Sequence, residues 1–283
     1  MSALSFTREK GSAAFHAKSL LHELGLKTPP IRPREIVRRL GVLLQETDGG
    51  DRFDGWILQA DGSAAIGINR AITSEPRKNF TIAHELGHFR LSWHNRQPKC
   101  FGQDIEAIRS VKTDETEANE FAVELLMPED IARPLVEGGD IGLAGIQQIA
   151  DTFEASFTSS AYRYIALTPY PAALVICEQR KIKHVSFSDA LRQTRRPFVE
   201  RGMDLGQNSL AADFFDPSGN VTKTAVDRYT ILPSVWFLGA GDAEFTCFEE
   251  TRGLSALKQT VSLVWIEGGT SALSSDGDEE EYE

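Results

Sequence analysis

The chain has 283 residues, a length that suits about two domains and is sufficient to bury a sizeable core. With 41% hydrophobic and 25% charged residues it has the composition of a globular protein, which excludes wholesale disorder and fibrous repeats. The formal net charge is −11, and more than half of it comes from acidic residues after position 275. We predict that residues 271–283 form an acidic, disordered tail.

Cysteine usage and hydropathy indicate the compartment. Three cysteines lie far apart in the sequence, and an odd number so spaced does not suggest a disulfide framework. A reducing compartment is the simpler interpretation. The first residues lack the apolar core of a signal peptide, and 18 apolar residues never occur together. We therefore expect a cytoplasmic protein without a membrane segment.

The sequence pattern in the first third of the chain predicts three helices and one β-hairpin. A helical stripe of apolar residues stops at Gly25, and a group of prolines then introduces a second short helix. An Asp61-Gly62 pair between two apolar runs predicts a tight β-turn. The predicted elements are helices over 12–24, 34–40 and 77–93 and hairpin strands over 55–60 and 64–69.

Beyond residue 113 the pattern changes twice. A strong helix is predicted over 114–127, and residues 141–167 form two helical stretches with the spacing of a helix-turn-helix pair. Short β-rich runs follow, which predict a separate α+β domain. They cover 172–177, 183–187, 229–238, 244–248 and 261–266, with a helical stretch near 254–258. We predict domains over 1–168 and 169–270, followed by the tail.

The helix over 77–93 contains the sequence His84-Glu85-Leu86-Gly87-His88. A spacing of four residues puts both histidines on one helix face, so both imidazoles can reach a single Zn²⁺ ion. The neighbouring carboxylate, Glu85, can accept a proton from water and later protonate a leaving amine. A chance pair of core histidines is the alternative interpretation.

A zinc peptidase usually needs a third protein ligand, and the acid-rich start of the next helix offers several carboxylates. Among them, Glu115 lies on the same helix face as small and apolar residues that allow close packing against the histidine helix. The spacing of Glu117, Glu120 and Glu124 instead predicts a solvated acidic stripe. We therefore favour Glu115, with a helix-terminal acid stabilised by the helix dipole as the alternative. The other candidates are Asp114, Glu117 and Glu120.

Two longer segments make a resemblance specific. RKNFTIAHELGHFRLSWH and ETEANEFAVELLMP resemble the ImmA/IrrE family of zinc metallopeptidases, and the similarity covers roughly residues 12–168. It implies a zincin-like peptidase domain with a helical extension. It also implies that His84, His88 and Glu115 are the zinc ligands and that Glu85 is the catalytic acid and base. We expect one Zn²⁺ per chain, with Mn²⁺ as an alternative metal.

The resemblance also implies a substrate. Members of this family cleave a helix-turn-helix transcriptional repressor in response to stress or DNA damage, which relieves repression. A CapP-like branch in anti-phage defence operons joins the peptidase to a C-terminal sensor, and the layout of this chain is compatible with that branch. The alternative is a non-catalytic sensor or adaptor, or a toxin-antitoxin component, that binds the repressor without cutting it.

Cys100 lies twelve residues after His88, in a loop between the two predicted ligand helices. A thiolate from this loop could occupy the water position on zinc and hold the enzyme inactive. The alternative is that Cys100 is simply a small buried apolar residue.

A basic patch in the C-terminal half suggests a nucleic-acid sensor. Phe187 and Phe198 are interleaved with the cations, a combination that single-stranded DNA needs for base stacking and phosphate contacts. Solvated surface is the alternative. The two helices over 141–167 have a single basic residue, Arg163, which favours a scaffold or docking surface over DNA reading. The patch consists of Arg180, Lys181, Lys183, Arg192, Arg195 and Arg196.

Overall fold

A computed structural model describes residues 12–50, 53–60, 62–91, 114–241 and 244–267. They form a mixed α+β fold with two sheets. The chain divides into two compact units, one containing residues up to Ile131 together with Asp151–Ser156, the other containing Ala132–Ala150 and residues from Phe157 onward. None of the described helices has the length and hydropathy of a membrane span. The predicted tail lies outside the described residues.

The first unit packs helices against a three-stranded sheet with the strand order β1-β3-β2. The predicted hairpin is present, because β2 and β3 pair antiparallel, while β1 joins β3 in parallel. The elements are α1 (Ala13–Glu23), α2 (Pro33–Arg39), β1 (Leu43–Thr47), β2 (Gly55–Ala60), β3 (Ser63–Asn69), α3 (Glu75–Arg90) and α4 (Asp114–Leu126).

Helices α3 and α4 pack closely because both present small residues at their contact. A Cβ atom placed on Gly87 would lie 3.1 Å from the Cα atom of Ala118 and 3.2 Å from its carbonyl oxygen. Ala118, Ala122 and Leu125 are fully buried, as their shared face predicts. The two helix backbones are therefore close enough for short side chains on one helix to reach those on the other.

One residue of the predicted acidic stripe on α4 is not solvated. Glu124 is 2% exposed, and its carboxylate accepts a hydrogen bond of 2.9 Å from the backbone N–H of Glu129. That N–H belongs to the first residue of α5 (Glu129–Glu137) and has no partner within its own helix. The expectation for Glu124 was wrong because the chain folds back directly after α4 and uses this carboxylate as a helix cap.

The second unit is built on a five-stranded antiparallel sheet with the order β5-β4-β8-β7-β6. An apolar cluster that includes Val175, Trp236, Phe237 and Ile266 forms its core. The elements after α5 are α6 (Leu143–Phe153), α7 (Phe157–Leu167), β4 (Ala172–Glu178), β5 (Lys181–Phe187), α8 (Asp189–Gln193), β6 (Asp227–Ile231), β7 (Cys247–Leu254) and β8 (Gln259–Ile266).

The compact units divide the chain differently from the predicted border at residue 168. The start of α6 is bound to the second sheet, because the Glu250 carboxylate accepts a hydrogen bond of 2.5 Å from the Leu143 N–H. The Arg252 guanidinium donates to the side chain of Gln147 at 2.6 Å. Most of the helical extension therefore packs with the C-terminal sheet. A sensor role for this unit stays a prediction.

The predicted strands over 229–238 and 244–248 differ from β6 and β7. Pro233 begins a 3₁₀ turn after β6, which directs Trp236 and Phe237 into the core. Strand β7 continues well past residue 248 through a buried carboxylate, Glu249, which accepts hydrogen bonds from backbone, indole and hydroxyl donors. Acidic residues rarely occupy buried strand positions, so the sequence pattern ended this strand too early.

The close contact at Gly87 gives a stability prediction. A Gly87→Ala substitution forces α3 and α4 apart, since the atoms it meets are mostly backbone. We expect a net loss of about 1 kcal/mol or more in the free energy of unfolding, despite the better helix propensity of alanine. Urea unfolding measures it. The control is Gly241→Ala, whose added Cβ meets no heavy atom within 4 Å. Equal stability of both variants would contradict the packing argument.

Candidate metal centre

Three side chains from α3 and α4 converge at one point. The Nε2 atoms of His84 and His88 lie 3.2 Å apart, as expected for histidines one helical turn apart. The carboxylate of Glu115 approaches both, with one oxygen 3.1 Å from His84 Nε2 and the other 3.4 Å from His88 Nε2. Among the described residues, these three form a group whose potential ligand atoms all lie within 4.8 Å of one another.

These separations fit a tetrahedral metal ion. Two ligand atoms that are each 2.0–2.1 Å from a tetrahedral zinc lie about 3.3 Å from each other. The donor set of two imidazoles and one carboxylate also suits a divalent metal, and among the described residues it leaves one tetrahedral position without a protein ligand. His84, His88 and Glu115 could therefore hold such an ion with little rearrangement.

The orientation of His84 is fixed from the side opposite the cluster. Its Nδ1 atom lies 2.9 Å from Oδ1 of Asn119, a buried residue one turn after Glu115 on α4. Because an amide oxygen only accepts hydrogen bonds, this contact places the imidazole proton on Nδ1. The lone pair of Nε2 then faces the cluster, as metal ligation requires.

The charges of the cluster reinforce one another. Burial lowers the pKa of His84, but its hydrogen bond to the Glu115 carboxylate and the charges of Glu85 and Glu115 outweigh it, so the pKa is raised overall. Burial raises the pKa of Glu115, but hydrogen bonds from His84 and His88 outweigh it and hold the pKa well below its usual range. The site therefore attracts positive charge, which a metal cation supplies when it displaces protons.

Glu85 lies beside this cluster on α3 and is almost fully buried, with 1% exposure. Its side chain packs against Gly55, the first residue of β2, where an added Cβ would lie 2.9 Å from the Glu85 Oε1 atom. A glycine at this position thus allows the Glu85 carboxylate to rest against the strand backbone.

Part of this chain is similar to known proteins. The family model of the IrrE N-terminal-like domain matches residues 37–164, which include all four of these side chains. This segment is therefore similar to IrrE-like metallopeptidase domains. The radiation response metalloprotease IrrE of Deinococcus radiodurans is 32% identical over 115 residues, which are 40% of this chain and 34% of that protein. The chain thus spans about a third of this curated relative.

A solved structure extends the similarity of fold beyond the ImmA/IrrE segment. A transcriptional regulator of Mycobacterium tuberculosis superimposes with a TM-score of 0.57 over 93% of this chain and 78% of that one. At 16% sequence identity, the similarity concerns the fold alone. It includes most of the second unit, in which the family model ends at residue 164 and does not cover the five-stranded sheet.

The structure brings together the residues that the sequence singled out for chemistry, and their individual roles stay predictions. His84, His88 and Glu115 converge, with Glu85 beside them. Cys100 lies outside the described residues. The sequence analysis did not identify Asn119 or Gly55. The spacing of four between Glu115 and Asn119 could have indicated the first, whereas nothing in the sequence indicates that Gly55 contacts α3.

The basic patch is less available for binding nucleic acid than its sequence suggested. Phe198 is 7% exposed and stacks on Trp236 inside the core, so it cannot stack on a base. Four of the six cations have carboxylates within 4 Å, in the pairs Lys181–Asp204, Lys183–Glu178, Arg192–Asp189 and Arg196–Glu244. Activation by single-stranded DNA stays a prediction, and Phe198 is not available to it as a stacking surface.

The helix pair α6–α7 also offers little to a phosphate backbone. Its single basic residue, Arg163, is 8% exposed. The turn between the helices contains Glu154, which forms a bidentate ion pair with Arg32, with nitrogen to oxygen distances of 2.5 and 2.6 Å. These contacts agree with a scaffold role for the pair.

Asn119 provides a test of the site that does not depend on activity. We expect Asn119→Leu to weaken metal affinity about 10–100-fold, because His84 loses the partner that fixes its tautomer and orientation. Competition with a chelator on the purified full-length chain measures the affinity. Glu120→Gln is the matched control, since this residue neighbours Asn119 and has no part in the cluster. Equal affinity of the two variants would refute the orienting role.

The burial of the two described cysteines allows the reactivity of Cys100 to be measured selectively. Burial raises the pKa of both Cys177 and Cys247 to about 12, and both are fully buried. At pH 8 only about one such thiol in ten thousand is ionised, so both should resist iodoacetamide until the protein unfolds.

Native alkylation, followed by mass spectrometry, therefore reports on Cys100. If Cys100 binds the metal, we expect its labelling to rise at least tenfold after chelation, together with higher basal cleavage in Cys100→Ala. Equal labelling with and without metal, or unchanged cleavage by the variant, rejects the inhibitory role of Cys100.

Proposed function

We propose that this chain is a metal-dependent endopeptidase whose active site is formed by His84, Glu85, His88 and Glu115. The supporting observation is the convergence of two imidazoles and one carboxylate at 3.1–3.4 Å, with a second, buried carboxylate on the same helix. An isolated structural metal site has no need for such a second carboxylate.

Each residue has a distinct part in this proposal. His84, His88 and Glu115 would hold one Zn²⁺ ion, with Mn²⁺ as the alternative. Such an ion would supply Lewis-acid chemistry, by which the pKa of water is lowered and a peptide carbonyl is polarised. The Glu85 carboxylate takes the proton of the attacking water and returns it to the nitrogen of the leaving amine. Asn119 keeps the Nε2 atom of His84 directed at the site.

We further propose that the substrate is a helix-turn-helix transcriptional repressor. This part rests on similarity: the segment 37–164 matches the IrrE N-terminal-like domain, and the relative from Deinococcus radiodurans is named a radiation response metalloprotease. Cleavage would relieve repression under stress or DNA damage. The C-terminal unit would receive the signal, as in the CapP-like branch linked to anti-phage defence. The site would then act in the cytoplasm.

The decisive variant is Glu85→Gln, which removes the proton acceptor and retains the size of the side chain. We expect unchanged metal content and a loss of cleavage of at least a hundredfold, because general acid–base catalysis contributes at least that much. Fragments of purified helix-turn-helix repressors from the same genome, detected by mass spectrometry, measure cleavage. Glu120→Gln is the control for the same change of charge.

The outcomes separate the competing functions. Wild-type cleavage that is lost in Glu85→Gln supports the endopeptidase. Binding of a repressor without any fragment, equal in both proteins, supports the adaptor or toxin-antitoxin function and contradicts the endopeptidase. Cleavage that persists in Glu85→Gln assigns the proton transfer to another group.

A further inference from the structure

One face of α3 connects the start of the helix to Glu85 through residues spaced four apart. Arg77, Thr81 and Glu85 lie on this face, one turn after another. The hydroxyl of Thr81 donates to the carbonyl of Arg77 at 3.0 Å. All three side chains meet the segment that enters β2.

The first contact is an ion pair between Arg77 and Asp54. The guanidinium donates two hydrogen bonds, of 2.9 Å from Nε and 2.7 Å from Nη2, to the two carboxylate oxygens. The Asp54 side chain is only 11% exposed. Bidentate geometry at a largely buried carboxylate fixes direction as well as distance, which a single exposed ion pair does not.

The next two contacts involve the residue that follows Asp54. A Cβ atom on Gly55 would lie 2.5 Å from the Thr81 methyl group, 2.9 Å from Glu85 Oε1 and 3.2 Å from Glu85 Cγ. The Glu85 side chain thus packs directly against the backbone of Gly55. The position of this backbone depends on how the first residue of β2 is held against α3.

The sheet holds this segment from its other side. Asn69, at the end of β3, donates its backbone N–H to the Asp54 carbonyl at 2.8 Å. Its side-chain amide donates to the carbonyl of Phe53, also at 2.8 Å. Asp54, directly before Gly55, is therefore held from both sides, by the sheet and by α3.

We propose that Asp54 and Arg77 are positioning residues for catalysis: their ion pair sets the start of β2 against α3, so that Gly55 orients the Glu85 carboxylate for proton transfer. This inference rests on the proposed peptidase function. Neither residue touches the metal site. A displacement of about 1 Å at a reacting group can cost a hundredfold in rate, so a small shift of Gly55 is sufficient for a large effect.

The activity test uses Asp54→Asn, which keeps shape and removes the charge. We expect kcat to fall at least tenfold while KM stays within twofold and the metal content stays at one ion per chain. Arg77→Lys keeps the positive charge but loses the bidentate hydrogen bonding of the guanidinium. It should retain more activity than Arg77→Met. In the double variant Asp54→Asn with Arg77→Met, the losses should not add, because both changes break the same pair.

The chain offers a matched control on the same helix. Lys78, the residue after Arg77, pairs with Glu46 of β1 at 3.3 Å and likewise links α3 to the sheet, and its atoms are not among the three nearest to a Cβ atom on Gly55. Glu46→Gln should leave kcat within twofold of the wild type. An equal loss of kcat in the two variants, or a loss in Asp54→Asn that follows a loss of metal, overturns the proposal.

A second readout does not need activity. Hydrogen exchange of the peptide spanning residues 53–60 in the full chain should become at least tenfold faster in Asp54→Asn and stay unchanged in Glu46→Gln. Unchanged exchange in Asp54→Asn overturns the proposal. If the wild type cleaves no repressor while exchange responds as expected, then the peptidase function fails and the clamp of β2 onto α3 stands.

Gly55→Ala provides an independent variant should Asp54→Asn be too unstable to purify. It keeps the ion pair and pushes directly on the Thr81 and Glu85 side chains. We expect the same fall in kcat with retained metal. Wild-type kcat in Gly55→Ala would overturn the role assigned to this contact.

Discussion

The structure of the first unit depends on the convergence of two imidazoles and a carboxylate from separate helices. Donor atoms that must lie 3.1–3.4 Å apart leave α3 and α4 almost no freedom in spacing. The helices meet this constraint through Gly87 and Ala118, whose lack of bulk allows the backbones to approach. The apolar face of α4 supplies the burial that offsets the desolvation of these polar groups.

Buried carboxylates in this chain serve different purposes, and their partners distinguish them. Glu249, in the second unit, is surrounded by neutral donors, and burial raises its pKa although these donors oppose the shift. Glu124 accepts a hydrogen bond from a backbone N–H and caps the start of α5. Glu115 faces two imidazoles, which hold its pKa well below the usual range. A carboxylate that stays ionised between two potential ligands is suited to a cation, whereas the other two stabilise the fold.

Local signals were sufficient for elements with a strong period or a distinct turn. The helices α3 and α4 and the hairpin of β2 and β3 could be predicted because periodicity, prolines and Asp61-Gly62 act over a few residues. Strand β1 was missed, since it is half-exposed and alternates poorly. The course of β7 was misread, because Glu249 becomes compatible with a buried strand only through donors distant in sequence.

The sequence by itself indicated which residues could bind a metal, because helical spacing places His84 and His88 on one face and the apolar face of α4 favours Glu115 over the neighbouring acids. Only the tertiary structure decided how these groups are oriented. Asn119, Gly55 and the Asp54–Arg77 pair act through contacts between elements, and no periodic pattern along a chain encodes a distance between two elements. The burial of Phe198 was decided in the same way, by the packing of aromatic residues from separate segments.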